Sequence, residues 1–272
     1  MLKFKFYTIF LLMLIIFGCG QNPFTGKSTL ALVPNSQILP MSFQQYNEVL
    51  EQSNVIAEGE EAQMIQRVGL KVVNAAERWL ADNGYPNYTD DYKWEFALID
   101  DNQVNAWAMP GGKIAFYTGI LPIAKTEAGV AAIMGHEVAH ALANHGQQRM
   151  SAAQVQQAAG AAGMLAMGES ETNQQIFATA FGIGSQVGVM LPFSRKHETE
   201  ADEIGIKLMA IAGYNPDEAA ELWKRMNENS GGAGPPQFLS THPASEQRIK
   251  NLQGLSASAK KEAEKYGVTF DD

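Results

Sequence analysis

One cysteine, Cys19, is all that 272 residues provide. No internal disulfide can form, and a single cysteine in an exported chain is either a free thiol or a residue with a use. Histidine is also scarce: there are five, and none precedes residue 136. Cationic residues are outnumbered, 20 Lys and Arg against 29 Asp and Glu, for a formal net charge of −9. No basic cluster interrupts that excess, which argues against a nucleic-acid partner and leaves the body without attraction to anionic lipid heads. No internal repeat is present. No apolar run reaches the ~20 residues that a helical membrane span needs. The two long apolar stretches, Ser151 to Met167 and Thr172 to Met190, are interrupted by glutamine, glycine and serine.

The first eighteen residues stand apart. Lys3 and Lys5 precede an apolar stretch from Phe6 to Phe17, followed by Gly18 and Cys19. A positive start and a short apolar run fit a secretory signal; an uncleaved anchor is the alternative. Ile16-Phe17-Gly18-Cys19 resembles a bacterial lipobox, so cleavage is expected before Cys19, which would carry acyl chains. Gly20 follows rather than Asp. By resemblance to bacterial lipoproteins, that implies an outer-membrane lipoprotein facing the periplasm. The expected organisation is a signal peptide over 1–18, a lipidated tether and wrap over 19–40, and one domain over 41–272.

The chemistry is concentrated at His136-Glu137-Val138-Ala139-His140, an H-E-x-x-H pattern in a run that reads as helix from Thr126 to His145. Residues four apart share a helix face, so both imidazoles can reach one metal ion. Glu137 stands beside them as a base for water. A zinc site with two histidines needs a third protein ligand and one open position. Glu198 and Asp202 offer it, also four apart: one carboxylate can hold the metal while the other holds an imidazole from behind. Glu200 is the rival ligand, but it lies roughly 200° around the helix from Glu198. Only Glu198 has a carboxylate four residues later. His197 points about 100° away from Glu198 and reads as surface or lid-facing.

These segments, Ser194 to Asp202 together with His136 to His140, then Thr241-His242-Pro243 and Arg248-Ile249, resemble the gluzincin zinc metallopeptidases related to HtpX, Oma and the CAAX prenyl protease. Asn105 to Gly112 resembles the segment ahead of that family's active helix, and the likeness runs from about Asn22 to Leu252. It implies one zinc ion per chain held by His136, His140 and Glu198, with Glu137 as catalytic base and Asp202 behind a ligand. It also implies that His242 stabilises the oxyanion. The ligand count adds a second role, in which His242 fills the fourth zinc position and shuts the site. Arg248 is expected to orient His242 or bind the substrate, and otherwise to be a plain surface residue.

Around these motifs the pattern predicts helices at Met41 to Gln52, Glu58 to Asp82, Phe193 to Gly213, Pro216 to Asn229 and Ala244 to Tyr266. Residues 146–193 are expected to form a helical hairpin over the cleft. Alternation of Tyr92, Trp94, Phe96 and Leu98 predicts a strand, and Lys113 to Thr118 another. Asn105 to Ala108, with Asn105 and Ala106 as substrate-binding residues, is the candidate edge that would pair with a substrate backbone. The expected fold is α+β, mainly helical: a zincin-like domain with a small sheet ahead of the H-E-x-x-H helix. The expected function is an envelope-anchored zinc endopeptidase acting on unfolded or misassembled envelope proteins. It would bind protein or peptide substrates, the membrane through its lipid, and envelope-assembly or protease partners. The other reading is a chaperone-like assembly lipoprotein with weak or regulated proteolysis.

Overall fold

The computed structural model describes residues 19–168, 170–229 and 237–270. The expected signal, residues 1–18, and the Gly/Pro segment Ser230 to Pro236 lie outside the described residues. Among the described residues, no helix is long and apolar enough to cross a membrane.

The chain opens with a two-stranded antiparallel ribbon, β1 (Cys19–Gln21) and β2 (Ser28–Leu30). Helix α1 (Asn35–Glu51) follows. It begins before the expected Met41 and runs through the expected boundary at residue 40. The single proline at Pro40 removes one N–H, while Ile38 and Leu39 bury their side chains almost fully and hold the first turns in place. Helix α2 (Glu60–Asp82) buries one apolar face. Val68, Val72 and Ala76 are fully buried, and Trp79 stacks on Phe24 of the ribbon at 4.4 Å.

Three strands form the sheet: β3 (Glu95–Ile99), β4 (Ala106–Met109) and β5 (Lys113–Tyr117), in the order β3-β5-β4. β3 runs parallel to β5, and β4 antiparallel. The β4–β5 turn needs its glycines, since Gly111 and Gly112 sit at φ +81° and +87°, and a Cβ on either would strike Phe43 or Trp94. The outer side of β3 is met by Val55 in an isolated bridge to Ile99. β4 is the other edge of the sheet, as expected for the segment around Asn105 to Ala108.

A short 3-10 turn and α3 (Leu121–Ala124) lead into α4 (Glu127–Leu142), the H-E-x-x-H helix. The Thr126 side chain caps it by accepting from the Gly129 N–H at 3.0 Å. Residues 129–142 are buried on every side, so this helix forms the centre of the fold. It ends earlier than expected. Asn144 adopts a left-handed conformation, φ 55° and ψ 35°, and the chain turns there into α5 (His145–Ala166). α6 (Glu171–Ser185) returns against α5, placing Phe177 over Gly163 and Phe181 over Gly160. A helical hairpin was expected here and is formed; of its residues, Arg149 lines the cleft beside β4. A π turn (Gln186–Met190) passes into α7 (Leu191–Ile211), which carries Glu198 and Asp202. α8 (Asp217–Glu228), a short α9 (Gln237–Thr241) and α10 (Glu246–Glu264) complete the chain. Asn215 accepts from the Asp217 N–H at the start of α8, and Ser245 caps α10. The arrangement is mainly helical with small sheets, in agreement with the expected class. One large core joins α2, the sheet, α4, α7, α8 and α10.

Candidate metal centre

Two glycines bring the site together. Gly135 on α4 faces Gly205 on α7 so closely that a Cβ on Gly135 would lie 2.7 Å from the Gly205 carbonyl oxygen. A Cβ on Gly205 would lie 2.8 Å from the Gly135 carbonyl carbon. The helices therefore meet backbone to backbone, one residue from His136 and two turns from Glu198.

At that contact His136, His140, Glu198 and His242 each offer a donor atom to a common point, and all four are buried. His136 Nε2 lies 3.1 Å from His140 Nε2 and 3.1 Å from His242 Nδ1. Glu198 oxygens lie 3.3 Å from His136 Nε2, 3.2 Å from His140 Nε2 and 2.8 Å from His242 Nδ1. A tetrahedron with zinc–nitrogen arms of 2.0–2.1 Å has edges of about 3.3 Å, so the donor set has the size and chemistry zinc requires.

The electrostatics also favour a cation there. Burial alone would lower His136, but hydrogen bonds to Asp202 and Glu198 outweigh it and raise the imidazole to about 9. Burial likewise opposes ionisation of Glu198, yet hydrogen bonds from His136, His140 and His242 hold it well below the usual carboxylate range. Burial pushes His140 well below its ordinary value, leaving a neutral ring with a lone pair to give. Glu137 is raised by burial, partly offset by His242 and His136. Its Oε1 is buried without a hydrogen-bond partner, 3.6 Å from His242 Nε2. An unpaired buried carboxylate oxygen is costly unless it serves a purpose.

Asp202 stands behind His136, Oδ1 to Nδ1 at 3.0 Å. The Arg248 guanidinium clamps that carboxylate with two bonds of 2.7 Å, donates to the Pro243 carbonyl at 3.3 Å, and lies 3.5 Å over the Trp223 ring. Arg248 is not a surface residue; it is buried. Its guanidinium holds Asp202 and the carbonyl next to His242. Asn105 and Ala106 line a cleft of about 140 Å³ together with Glu137, His140, Arg149 and His242. The edge strand and the candidate base therefore share one opening.

Other residues were not foreseen. His197 is buried, 4 % exposed, where a surface or lid position was expected. Its ring stacks on His145 at 4.1 Å, and Nε2 meets Gln148 Oε1 at 3.3 Å. Burial pulls it down to about 3. Glu200 does not face the donor set. It binds His145 Nε2 at 3.0 Å and accepts from the Thr25 hydroxyl at 2.6 Å. Burial acts against its ionisation, but these bonds hold it at about 2. The scarcity of histidine was the available signal, since all five lie in this neighbourhood. Gly135 and Gly205 gave none, because a helical glycine shows its purpose only when the facing helix is in place.

The model of the Peptidase family M48 matches residues 61–256. The Mitochondrial metalloendopeptidase OMA1 of Schizosaccharomyces pombe is 40% identical over 166 residues, 60% of this chain and 47% of that protein. The Saccharomyces cerevisiae protein of that name is 35% identical over 196 residues, 69% of this chain and 54% of that protein. The Beta-barrel assembly-enhancing protease of Escherichia coli is 28% identical over 167 residues, 59% of this chain and 34% of that protein. The chain thus spans about half the length of the two OMA1 proteins and a third of the bacterial one.

Proposed function

The chain belongs to peptidase family M48, and from that premise we propose that it is a zinc-dependent metalloendopeptidase of the bacterial envelope. In this reading His136, His140 and Glu198 hold the metal, Glu137 is the base, Asp202 fixes His136, and Arg248 fixes Asp202. The observation that carries it is the unpartnered, buried Glu137 oxygen beside a convergent set of metal donors.

When bound, zinc polarises a carbonyl and brings the pKa of water near 7. Glu137 takes the proton from the attacking water and delivers it to the leaving amine; its raised pKa suits both transfers. His242 would serve in two ways. The position seen puts Nδ1 among the donors, where it would compete with water for the metal; turned away from the donors, the ring would be free to stabilise the developing oxyanion. A substrate strand adds to the open edge of β4 at Ala106, while Asn105, whose carbonyl accepts from the Tyr117 N–H, lines the cleft beside it; this reads backbone shape and leaves selectivity to the cleft.

The tether reading belongs here too. Lys3, Lys5, the apolar run and Cys19 support a lipid anchor and an outer-membrane site facing the periplasm, with residues 41–272 as the catalytic domain. The substrates would be unfolded or misassembled envelope proteins. The name of the Escherichia coli relative supports an envelope-assembly partner. The position of His242 in the donor set favours a second reading, an assembly factor whose proteolysis is held shut until a client opens it. Purified protein incubated with casein should yield fragments that chelator abolishes and zinc restores, and Glu137→Gln should cut nothing while still binding zinc. Undiminished cleavage by that variant, free of contaminating protease, would remove Glu137 from the mechanism. Zinc-bound wild type that leaves casein intact but cuts it once His242 is replaced by Ala would favour the closed-site reading.

A further inference from the structure

The two candidate ligand imidazoles are held from behind in different ways. His136 Nδ1 meets a carboxylate directly, Asp202 at 3.0 Å. His140 Nδ1 meets none; it meets another histidine, His145 Nδ1, at 2.8 Å. The far nitrogen of His145 meets Glu200 Oε2 at 3.0 Å, and the other Glu200 oxygen accepts from Thr25 Oγ1 at 2.6 Å, with Lys27 Nζ at 3.6 Å. Thr25 and Lys27 belong to the turn that joins β1 and β2.

We propose that His145 and Glu200 form a positioning arm for the metal ligand His140, and that the arm is anchored on the N-terminal ribbon through Thr25, so that the ribbon helps set the affinity for zinc. The proposal rests on the reading of His136, His140 and Glu198 as ligands.

Proton bookkeeping fixes the direction of the arm. If His140 Nε2 gives its lone pair to a metal, its proton is on Nδ1 and is donated to His145 Nδ1. His145 must then carry its own proton on Nε2, where Glu200 accepts it. Glu200 keeps a second oxygen for the Thr25 hydroxyl. A protonated His145 Nδ1 would drive the His140 proton onto Nε2 and abolish metal binding there. Only one tautomer pattern satisfies metal and arm together, and it ends on a carboxylate, as the arm on His136 does.

The arm is rigid at each joint. His145 is fully buried. His197 stacks on its ring, and Gln148, which meets His197, donates to the Ala143 carbonyl at 2.8 Å. Asn144, whose left-handed turn redirects His145, is gripped by Tyr88 at 2.9 Å and by Tyr92 at 3.2 Å. On the other side the chain after the ribbon is fastened to α5: Ser151 accepts from the Leu32 N–H at 3.0 Å, and Gln147 donates to the Val33 carbonyl at 2.6 Å.

Zinc affinity of the full chain, measured by competition with a chromophoric chelator, tests this without any assay of cleavage. His145→Phe keeps the ring stack on His197 and removes both nitrogens; Glu200→Gln keeps the shape and removes the charge. Each should bind zinc about 10- to 100-fold more weakly, with the chelated protein still unfolding in one cooperative transition. Thr25→Val should weaken zinc severalfold in the wild-type background and add little on top of Glu200→Gln, since both act through one arm. If His145→Phe does not fold, Glu200→Gln decides. Folded arm variants with wild-type zinc affinity would overturn the arm. An unchanged Thr25→Val would overturn its anchoring on the ribbon. Glu198→Ala separates the premise: if that variant binds zinc as wild type does, the ligand assignment has failed rather than the arm.

Discussion

The pair α4–α7 and the hairpin α5–α6 are neighbours in sequence and opposites in construction. α4 is buried all round, touches α7 through facing glycines, and carries His136 and His140 with assigned partners beside the unpartnered Glu137 oxygen. The hairpin packs mainly against itself, through Phe177 and Phe181 on two glycines, and leaves large apolar side chains in solvent: Leu165 is 84 % exposed and Ile176 63 %. The lesson concerns where charge can be afforded. His136, Glu198, Asp202 and Arg248 are each under 9 % exposed, and they stay ordered only because the surrounding helices fix every partner. Only the first turns of α5, with His145, Gln147, Gln148 and Ser151, share that construction; the far part of the hairpin carries exposed apolar side chains in their place.

Breaking the first region should have the largest effect. Asp202→Ala takes from Arg248 its two-bond partner, leaving Glu198 at 3.4 Å as its only carboxylate, and takes from His136 the carboxylate behind its Nδ1. Calorimetry and a zinc titration should register a loss of about 3–5 kcal/mol and of 10- to 100-fold in affinity. An unaltered zinc affinity would mean that His136 needs no support from behind. Gly205→Ala comes next. Its Cβ has no room against the Gly135 backbone, so the helices must part, at about 1–3 kcal/mol. Zinc binding should weaken with them, and a melting curve superimposable on wild type would show that the close approach is dispensable.

A smaller effect lies at the start of α4. A hydrogen bond from Arg67, then one from Tyr214, lowers Glu127 to about 2. A depressed carboxylate stabilises the fold above its unfolded pKa near 4.5 and loses that contribution as pH falls toward 2. Wild type should therefore exceed Glu127→Gln in urea resistance at pH 7, by under about 1 kcal/mol because the pair is partly exposed. The gap should close as the pH drops below 4.5; a gap that widens in acid would reverse the assigned sign. The smallest effect belongs to the hairpin: Leu165→Gln should change neither melting temperature nor zinc affinity beyond about 0.5 kcal/mol. A larger loss would show that the far end of the hairpin, and not only its first turn at His145, is coupled to the metal helices, and would undo the contrast.

Much of this was open to inspection in the sequence where a short local rule applied. The four-residue spacings His136–His140 and Glu198–Asp202 are properties of any helix, and α4 and α7 present them as that geometry requires. The strands around Phe96 and Ile114 were legible too, although β3 begins only at Glu95 and buries Phe96 to Ile99 on both faces, where alternation from Tyr92 was expected. His145 was hidden for the converse reason. Five residues on, a continuous helix would place it about 140° from His140, and only the left-handed turn at Asn144 brings it back. His197 looked solvent-facing because its neighbour faces the metal; the element that buries it, α5, lies some fifty residues away in the chain. Arg248 was indistinguishable from a surface cation until Trp223 and Asp202 closed around it.

The sequence by itself determined the reactive groups, the helices that carry them and the face each shows, because these depend on contacts within one or two turns. Tertiary structure alone decided that Glu198 meets His136 and His140, that His242 reaches the same point, and that Glu200 serves His145. Those meetings depend on how closely two helices can approach, and that distance is set by side chains missing from both Gly135 and Gly205.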